Sequence, residues 1–322
     1  MLAVVLKEIS IESENIFGAY IKGYKPNDRA AREMMDEIGC VRVLGSGMDE
    51  DIRVSIKSKA SVYRHQNRGG RPVTDPLQRD LLSKTSRDFT DHLDSCLERI
   101  RKKLSPVGRE KLTSHIAEVL INAHEHSKTA QWLVAGYLDT DDRDLTYRAV
   151  IFSFGNTIAE NFVKASPGSV PAKLVQPYID EHERRSFFGR DWTKEELLTV
   201  IALQGHVSSE LDEFDNRDRG QGTVDLIEFF QDMSEACSGT SIAPLMSMIS
   251  GKAQILFDGR YRMKYENSTN RMVIAFNDSN SLSLQPDSTA VLRMRDEGFP
   301  GVVVSVVVPL TASAVEDILG EP

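Results

Sequence analysis

Cysteine and long apolar runs are both scarce in this chain of 322 residues. The three cysteines, Cys40, Cys96 and Cys237, lie far apart and form no CxxC pair. This spacing argues against a disulfide framework or a cysteine zinc site and favours a reducing compartment. No segment reaches the ~20 apolar residues that a membrane helix needs, and the opening residues MLAVVLKEIS become charged too early for a secretory signal. We therefore expect a cytoplasmic protein without membrane association.

Positive charge is also in short supply. Lys and Arg number 39 against 48 Asp and Glu, so the net charge is −9. This balance offers no electrostatic basis for general nucleic-acid binding. One local exception is the basic segment 64–71, RHQNRGGR. A single cluster of this kind favours a solvated loop, with a phosphate- or nucleic-acid-binding patch as the alternative.

The composition, 40 % hydrophobic and 27 % charged residues, is typical of a globular protein. The segment 68–72, RGGRP, interrupts the preceding pattern and is the predicted domain boundary. We expect an N-terminal α/β region of unknown role over 1–72, a connecting helix over 73–104, and a second domain over 105–322.

Local signals predict the elements of the second domain. One helix begins at Ser105-Pro106, since serine is a favoured N-cap and proline suits the first helical position. Another begins at Thr193, which has the capping-box spacing with Glu196. A run of valines near the C-terminus indicates a central strand buried on both faces. The pattern predicts an α/β sandwich with helices on one face of a mixed sheet. The predicted strands are 131–139, 145–154, 253–257, 260–265, 271–276, 290–295 and 301–309.

The first of these helices carries a polar stripe. Glu118, Asn122 and Glu125 fall within about 60° of one another, with His126 beside them, and apolar residues take the opposite side. This is either an ordinary amphipathic helix with a solvated face or a site with two carboxylates, an amide and an imidazole. His124 projects about 200° from His126, so the two cannot share a metal ion.

Two glycine turns lie downstream, and each leads into a predicted helix. The first is SFGNTI, residues 153–158, and the second is RDRGQGT, residues 217–223. Glycines before a helix let backbone N–H groups converge on an anion, and the helix dipole favours that anion. Either turn alone is equally consistent with an ordinary turn. The longer nucleotide fingerprints GxxxxGK[ST] and GxGxxG are absent from the sequence.

Taken in order, these segments resemble the GHKL superfamily of ATPases and kinases over about residues 105–310. Segment 118–126, with the pattern Glu-x-x-x-Asn-Ala-x-x-His, is similar to the kinase-type N box. Segments 153–158 and 219–223 are similar to the two glycine boxes, and 301–310 resembles the closing strand. The resemblance implies a two-layer α/β sandwich of the Bergerat type.

The resemblance also implies ATP and Mg²⁺ as ligands, with a long, mobile ATP lid over about 158–219. Asn122 would supply an amide oxygen to Mg²⁺, a hard cation that prefers oxygen ligands. Glu118 would be the general base that deprotonates the attacking water. The residues that would contact the nucleotide are Asn122, His126, Ser153, Gly155, Thr157, Ile158, Arg219, Gly220, Gln221, Gly222 and Thr223.

The base pocket departs from the family pattern at two positions. Ser153 replaces the aspartate that accepts the adenine amino proton, and Val302 replaces the threonine that assists it. A serine hydroxyl still accepts a hydrogen bond, but without charge the bond is weaker.

The function that the resemblance implies is slow, Mg-dependent ATP hydrolysis, used as a conformational switch on a protein partner. The alternatives are an anti-sigma-type protein kinase and a non-catalytic interaction module with a decayed nucleotide pocket. His92 lies 26 residues before Glu118, closer than a dimerisation helix pair would place it, so we do not expect it to be a phosphoacceptor. The sequence does not specify the oligomeric state, and a homodimer is one of the assemblies open to the protein.

Overall fold

The computed structural model describes residues 62–68, 71–126, 128–139, 145–166, 168–205, 207, 222–237, 243–267, 270–295, 298–311 and 314–318. Within these ranges no helix combines the length and the apolar composition needed to span a membrane. The predictions that concern residues 1–61, and those on Arg219, Gly220 and Gln221, lie outside the described residues.

The described part of the chain contains six helices and eleven strands. The helices are α1 (Pro76–Glu98), α2 (Pro106–His126), α3 (Ile158–Val163), α4 (Val170–Arg184), α5 (Lys194–Ile201) and α6 (Gly222–Ala236). The strands are β1 (Val62–Arg68), β2 (Lys102–Leu104), β3 (Lys128–Asp139), β4 (Thr146–Gly155), β5 (Leu245–Gly251), β6 (Ala253–Phe257), β7 (Lys264–Glu266), β8 (Arg271–Val273), β9 (Val291–Arg293), β10 (Phe299–Pro309) and β11 (Val315–Asp317).

Seven strands form the main sheet, in the order β1-β3-β4-β10-β5-β6-β9. Every neighbouring pair in it is antiparallel. The predicted α/β class is confirmed, but the prediction of mixed strand directions is wrong. The reason lies in the connections: β3 leads directly into β4, and β5 turns into β6 at Gly251, where φ is +59°. Strands joined by such short links run antiparallel.

The central strand of the sheet is β10, which pairs with β4 on one side and β5 on the other. Val304 belongs to the main core, whereas Val303 joins Leu133 and Phe152 in a second apolar cluster. Because successive side chains of a strand point to opposite faces, β10 is buried on both. The prediction made from its valine run is confirmed.

Two long helices cover one part of the sheet. α2 packs against α1, β3 and α6, and its buried residues Ile116, Val119 and Leu120 are those of the predicted apolar stripe. α1 ends at Glu98 rather than at residue 104. The residues that follow it form β2, which pairs with β11, so a long-range strand contact replaces the last predicted helical turns.

The edge strand β1 shows that the main sheet extends N-terminal of the boundary predicted at residue 72. The basic segment 64–71 was expected to be a solvated loop, and for residues 64–68 this expectation is wrong, because they pair with β3. Asn67 is buried there, with its side-chain amide 3.4 Å from Nδ1 of His124. The backbone N–H and C=O groups on the edge of β3 need hydrogen-bond partners, and the polar segment supplies them by pairing with β3.

The segment predicted as a lid, 158–219, is described as far as residue 207. In this part it contains three helices, α3 to α5, the last of which is the helix predicted to begin at Thr193. The predicted capping box at α5 is confirmed, since Thr193 and Glu196 exchange both hydrogen bonds. The apolar residues of α5 that are buried in the main core are Leu197, Leu198, Val200 and Ile201.

Candidate functional site

A cavity of about 120 Å³ lies between α2 and the sheet. α2 contributes Asn122 and Ala123 to its wall, β4 contributes Ser153, and β10 contributes Val302. Residues of α3, of the segment that follows α5, of α6 and of β5 complete it, including Thr223 in the first turn of α6. Four segments that are widely separated in sequence, and that the sequence singled out, therefore meet at one place.

Three of the polar side chains that line this mostly apolar cavity have hydrogen-bonding groups that no described residue uses. The amide of Asn122 and the hydroxyls of Ser153 and Thr223 bond to no other residue that the structure describes. Ser153 is only 2 % exposed. Since a buried polar group normally has a partner, the hydroxyl of Ser153 is available to a ligand, and the half-buried side chains of Asn122 and Thr223 are accessible to the same ligand.

Ser153 and Val302 lie directly opposite each other on β4 and β10. The preceding residue, Gly301, has a φ of +143°, and a Cβ at this position would collide with the carbonyl oxygen of Ser153. Only glycine lets β10 approach β4 this closely. The predicted closing-strand glycine thus sets the geometry at the cavity.

In the turn between β4 and α3, the backbone N–H groups of Thr157 and Ile158 donate to side chains of the protein itself. Gly155 ends the strand with a φ of +125°, and Thr157 caps α3 in a box with Glu160. The N–H of Ile158 donates to Oγ of Ser250 at 2.8 Å. The first glycine turn therefore offers the Ile158 side chain to the cavity, while Gly155 and Thr157 shape the turn itself.

The second glycine turn leads into α6, whose first residues are Gly222 and Thr223. α6 is 15 residues long, so its N-terminus has a partial positive charge and N–H groups without intrahelical partners. Thr223 places that end of the helix at the cavity. This is the end at which an anionic group of a ligand would be stabilised.

Glu118 lies one turn before Asn122 on α2 and outside the cavity lining. Burial raises the pKa of its carboxyl, and nearby Asp225 and Glu125 raise it further. A raised carboxyl pKa is typical of groups that exchange protons during catalysis, although acidic clusters also produce it. The structure therefore brings Asn122, Ser153 and Thr223 together and keeps Glu118 at one turn's distance.

His124 has a structural role. Its Nδ1 accepts a hydrogen bond from Nε1 of Trp132 at 3.2 Å, and indole N–H can only donate. The ring proton is therefore on Nε2, which lies 2.7 Å from the carbonyl oxygen of Arg71. His124 thus ties β3 and the start of α1 to α2. His126 is the last residue of α2, and only its backbone is described.

The cavity residues that sequence reasoning missed include Asn161 on α3 and Met248 on β5. Asn161 follows Ile158 by three residues, which places both on one face of α3. Its Oδ1 accepts a hydrogen bond from the side-chain amide of Asn156 at 2.9 Å. The spacing of three residues between Ile158 and Asn161 could have predicted Asn161, whereas no local sequence pattern indicated Met248.

The donor set fits a nucleotide-bound Mg²⁺. Among the described residues there is no group of three or more His, Cys, Asp or Glu that could hold a metal ion. Mg²⁺ on a nucleotide needs only one or two protein ligands, because phosphates and water supply the rest. The free amide oxygen of Asn122 meets that need.

The cavity is smaller than a whole nucleotide and smaller than a purine base. An apolar protein cavity of ~150 Å³ binds benzene, whereas this one measures about 120 Å³ with Ser153 as a polar contact. A purine base would therefore enter only if the walls of the cavity moved apart, and a sugar and phosphates would lie outside, towards α6. No protein-family model, curated protein or solved structure matches this chain.

Proposed function

We propose that this chain binds ATP with its base in the cavity between α2, β4 and β10, and hydrolyses it slowly. One observation carries the proposal. Asn122, Ser153 and Thr223 belong to three separate motifs, line the same cavity and have unused hydrogen-bonding groups. A mostly apolar cavity with a few convergent polar groups is the usual form of a small-molecule site.

The base is recognised by one hydroxyl and apolar walls. Ala123, Ile158 and Met248 offer aliphatic surface to a flat ring. The hydroxyl of Ser153 accepts a hydrogen bond from an exocyclic amine or donates one to a ring nitrogen. Val302, directly opposite, has no polar group, so the selection between bases is weaker than a carboxylate would give.

The phosphates extend towards the first turn of α6, where Thr223 and the helix dipole stabilise negative charge. Asn122 would hold Mg²⁺ through its amide oxygen, and the ion would supply positive charge to the phosphate oxygens.

Glu118 activates the water. Its carboxylate takes a proton as the water oxygen bonds to the terminal phosphorus, and the bond from that phosphorus to the bridging oxygen breaks, leaving ADP and phosphate. The raised pKa of Glu118 makes it a stronger base. Its position outside the cavity lining requires α2 to shift or the water to bridge, so we expect slow turnover. The same position favours binding without hydrolysis as the second candidate function.

The position of the nucleotide also suggests how hydrolysis would act as a conformational switch. α2 touches the ligand through Asn122 and packs against α1, β3 and α6, so a shift of α2 on hydrolysis reaches several elements. We infer that a protein partner responds to this shift.

Calorimetric titration with ATP, GTP and a non-hydrolysable ATP analogue, with Mg²⁺ and with EDTA, tests the proposal. Asn122→Ala should weaken ATP binding roughly tenfold with Mg²⁺ and much less in EDTA, because a metal ligand contributes only when the metal is present. Gln176→Ala, which removes an exposed amide on α4, should change neither affinity.

Three results would contradict parts of this reading. An equal loss of affinity in EDTA would make Asn122 structural. Failure of every nucleotide to bind would leave the non-catalytic interaction module. Transfer of phosphate to a co-purifying protein, rather than release of ADP and phosphate by the chain alone, would indicate a protein kinase.

A further inference from the structure

A second, larger cavity of about 230 Å³ lies beside the first, between α2, α6 and strands β4 and β10. Val119, Ile151, Leu226 and Val304 line both cavities, which therefore share one wall. The residues proposed to contact ATP are not among those that line the second cavity, so nucleotide binding does not account for it.

The walls of the second cavity are almost entirely hydrocarbon. α2 contributes Leu112 and Ile116, β10 contributes Val306 and Val308, and α6 contributes Phe229. Scaled from the ~150 Å³ cavity that binds benzene, the space holds roughly eight or nine carbon atoms. Such a cavity binds an apolar ring or a medium-length alkyl chain.

Its polar groups define the end group of the ligand. Lys111 and Asp232 are exposed and mark the opening, and Lys111 forms no ion pair with the described residues. His115 lies one turn after Lys111 on α2, and its buried Nδ1 has no hydrogen-bond partner. Burial lowers the pKa of His115, so the ring is neutral and one of its nitrogens donates.

Lys111 donates, the neutral ring of His115 donates through one nitrogen and accepts through the other, and Asp232 on α6 only accepts. Because Lys111 and His115 lie one turn apart on α2, their donors are on the same side of the opening. An anionic group is favoured on that side. Val107, 62 % exposed, continues the apolar lining to the surface, so a chain can enter beside the charged groups.

We propose that this cavity binds a medium-chain carboxylate of about eight carbons. Its alkyl chain lies between α2, α6 and β10, and its carboxylate lies at Lys111 and His115. Binding at this site does not depend on the nucleotide proposal, because the two cavities have separate polar groups.

The test is calorimetric titration of the full chain, without nucleotide, with octanoate, octanol and octylamine. Octanoate should bind most tightly and octylamine least. Lys111→Gln should weaken octanoate roughly two- to fivefold, the range of an exposed ion pair, and leave octanol unchanged. The matched control Lys173→Gln, on α4 and outside the cavity, should change neither.

Variants that fill the cavity complete the test. Val306→Phe and, independently, Ala149→Leu should abolish binding of octanoate and octanol, with a far-UV spectrum like that of the parent. Ala149 is the cross-strand neighbour of Val306 and lines the same cavity, so either variant suffices if the other fails to fold. Octanoate binding that survives a folded filling variant, no octanoate binding by the parent, or equal affinity for octylamine would overturn the proposal.

Discussion

Ser153 and Val302 face each other across β4 and β10 at the cavity, and this pair should decide how strongly a base is selected. Ser153→Asp should tighten ATP binding or sharpen its preference over GTP, because a charge-assisted hydrogen bond is stronger by about 1 kcal/mol. A buried carboxylate also pays a desolvation cost, which a threonine hydroxyl at 302 offsets. The double change with Val302→Thr should therefore gain more than the sum of the single changes.

The test is a double-mutant cycle. Calorimetry measures the affinities of the parent, the two single variants and the double variant for ATP and for GTP. Gains that merely add, or that are equal for both nucleotides, would mean that these side chains do not face the base. Because the two residues are direct cross-strand neighbours, distance cannot explain an absence of coupling.

Glu118→Gln should separate catalysis from binding. Loss of a general base costs roughly 10²–10⁴-fold in rate, while the affinity for Mg-ATP should stay within several-fold. Glu110→Gln, an exposed glutamate on the same helix, should hydrolyse ATP like the parent. Steady-state phosphate release measures both, and an unchanged rate in Glu118→Gln would remove it from the mechanism.

The raised pKa of Glu118 has a second consequence. Because the folded pKa lies above the unfolded one, this group's contribution to stability is complete below the unfolded pKa and is lost as pH rises through the folded pKa. In the variant Glu118→Gln, this pH-dependent loss of stability is absent. The melting temperature of the variant relative to the parent should therefore rise between acid and neutral pH. A difference that is constant with pH would show that Glu118 titrates normally.

At the level of elements, α5 is held to β9 by a buried charge. Glu196 is 0 % exposed, and its carboxylate contacts the guanidinium of Arg293 and the N–H of Thr193. Arg293→Leu leaves the Glu196 carboxylate buried without its positively charged partner, so the free energy of unfolding should fall by about 3 kcal/mol. Arg262→Leu breaks an ion pair with the exposed Glu235 and should cost about 1 kcal/mol or less.

Urea denaturation of both variants measures these costs. Similar losses would show that the Arg293 pair is solvated in practice and that α5 is held by its apolar residues alone.

The elements also show how far the sequence could predict the structure. α2 was predictable because its cap, its apolar stripe and its polar stripe are all local signals. β5 was missed: its sequence LMSMISG has methionines and serines where strands favour β-branched residues. It is a strand because β10 and β6 pair with it on either side, and burial of Met246 and Met248 follows from that pairing.

The residues of the candidate site also fall into those that the sequence could predict and those that it could not. Asn122, Ser153 and Thr223 lie in short motifs, so they could be named before their meeting place was known. Met248 reaches the cavity only through the pairing of β5 with β10, a contact between distant segments. No local pattern predicts which long-range neighbour a methionine will meet.

Across the whole molecule, β10 joins two halves of the sheet, β1-β3-β4 and β5-β6-β9. It follows all six of those strands in the chain, so it is the last of them to leave the ribosome. Until then β4 and β5 each have an open edge, which is a template for pairing with other chains. The cavity also lacks the wall formed by Val302 and Val304. A nascent chain stopped before residue 299 should therefore be prone to aggregation and unable to retain nucleotide, however well its first helices have formed.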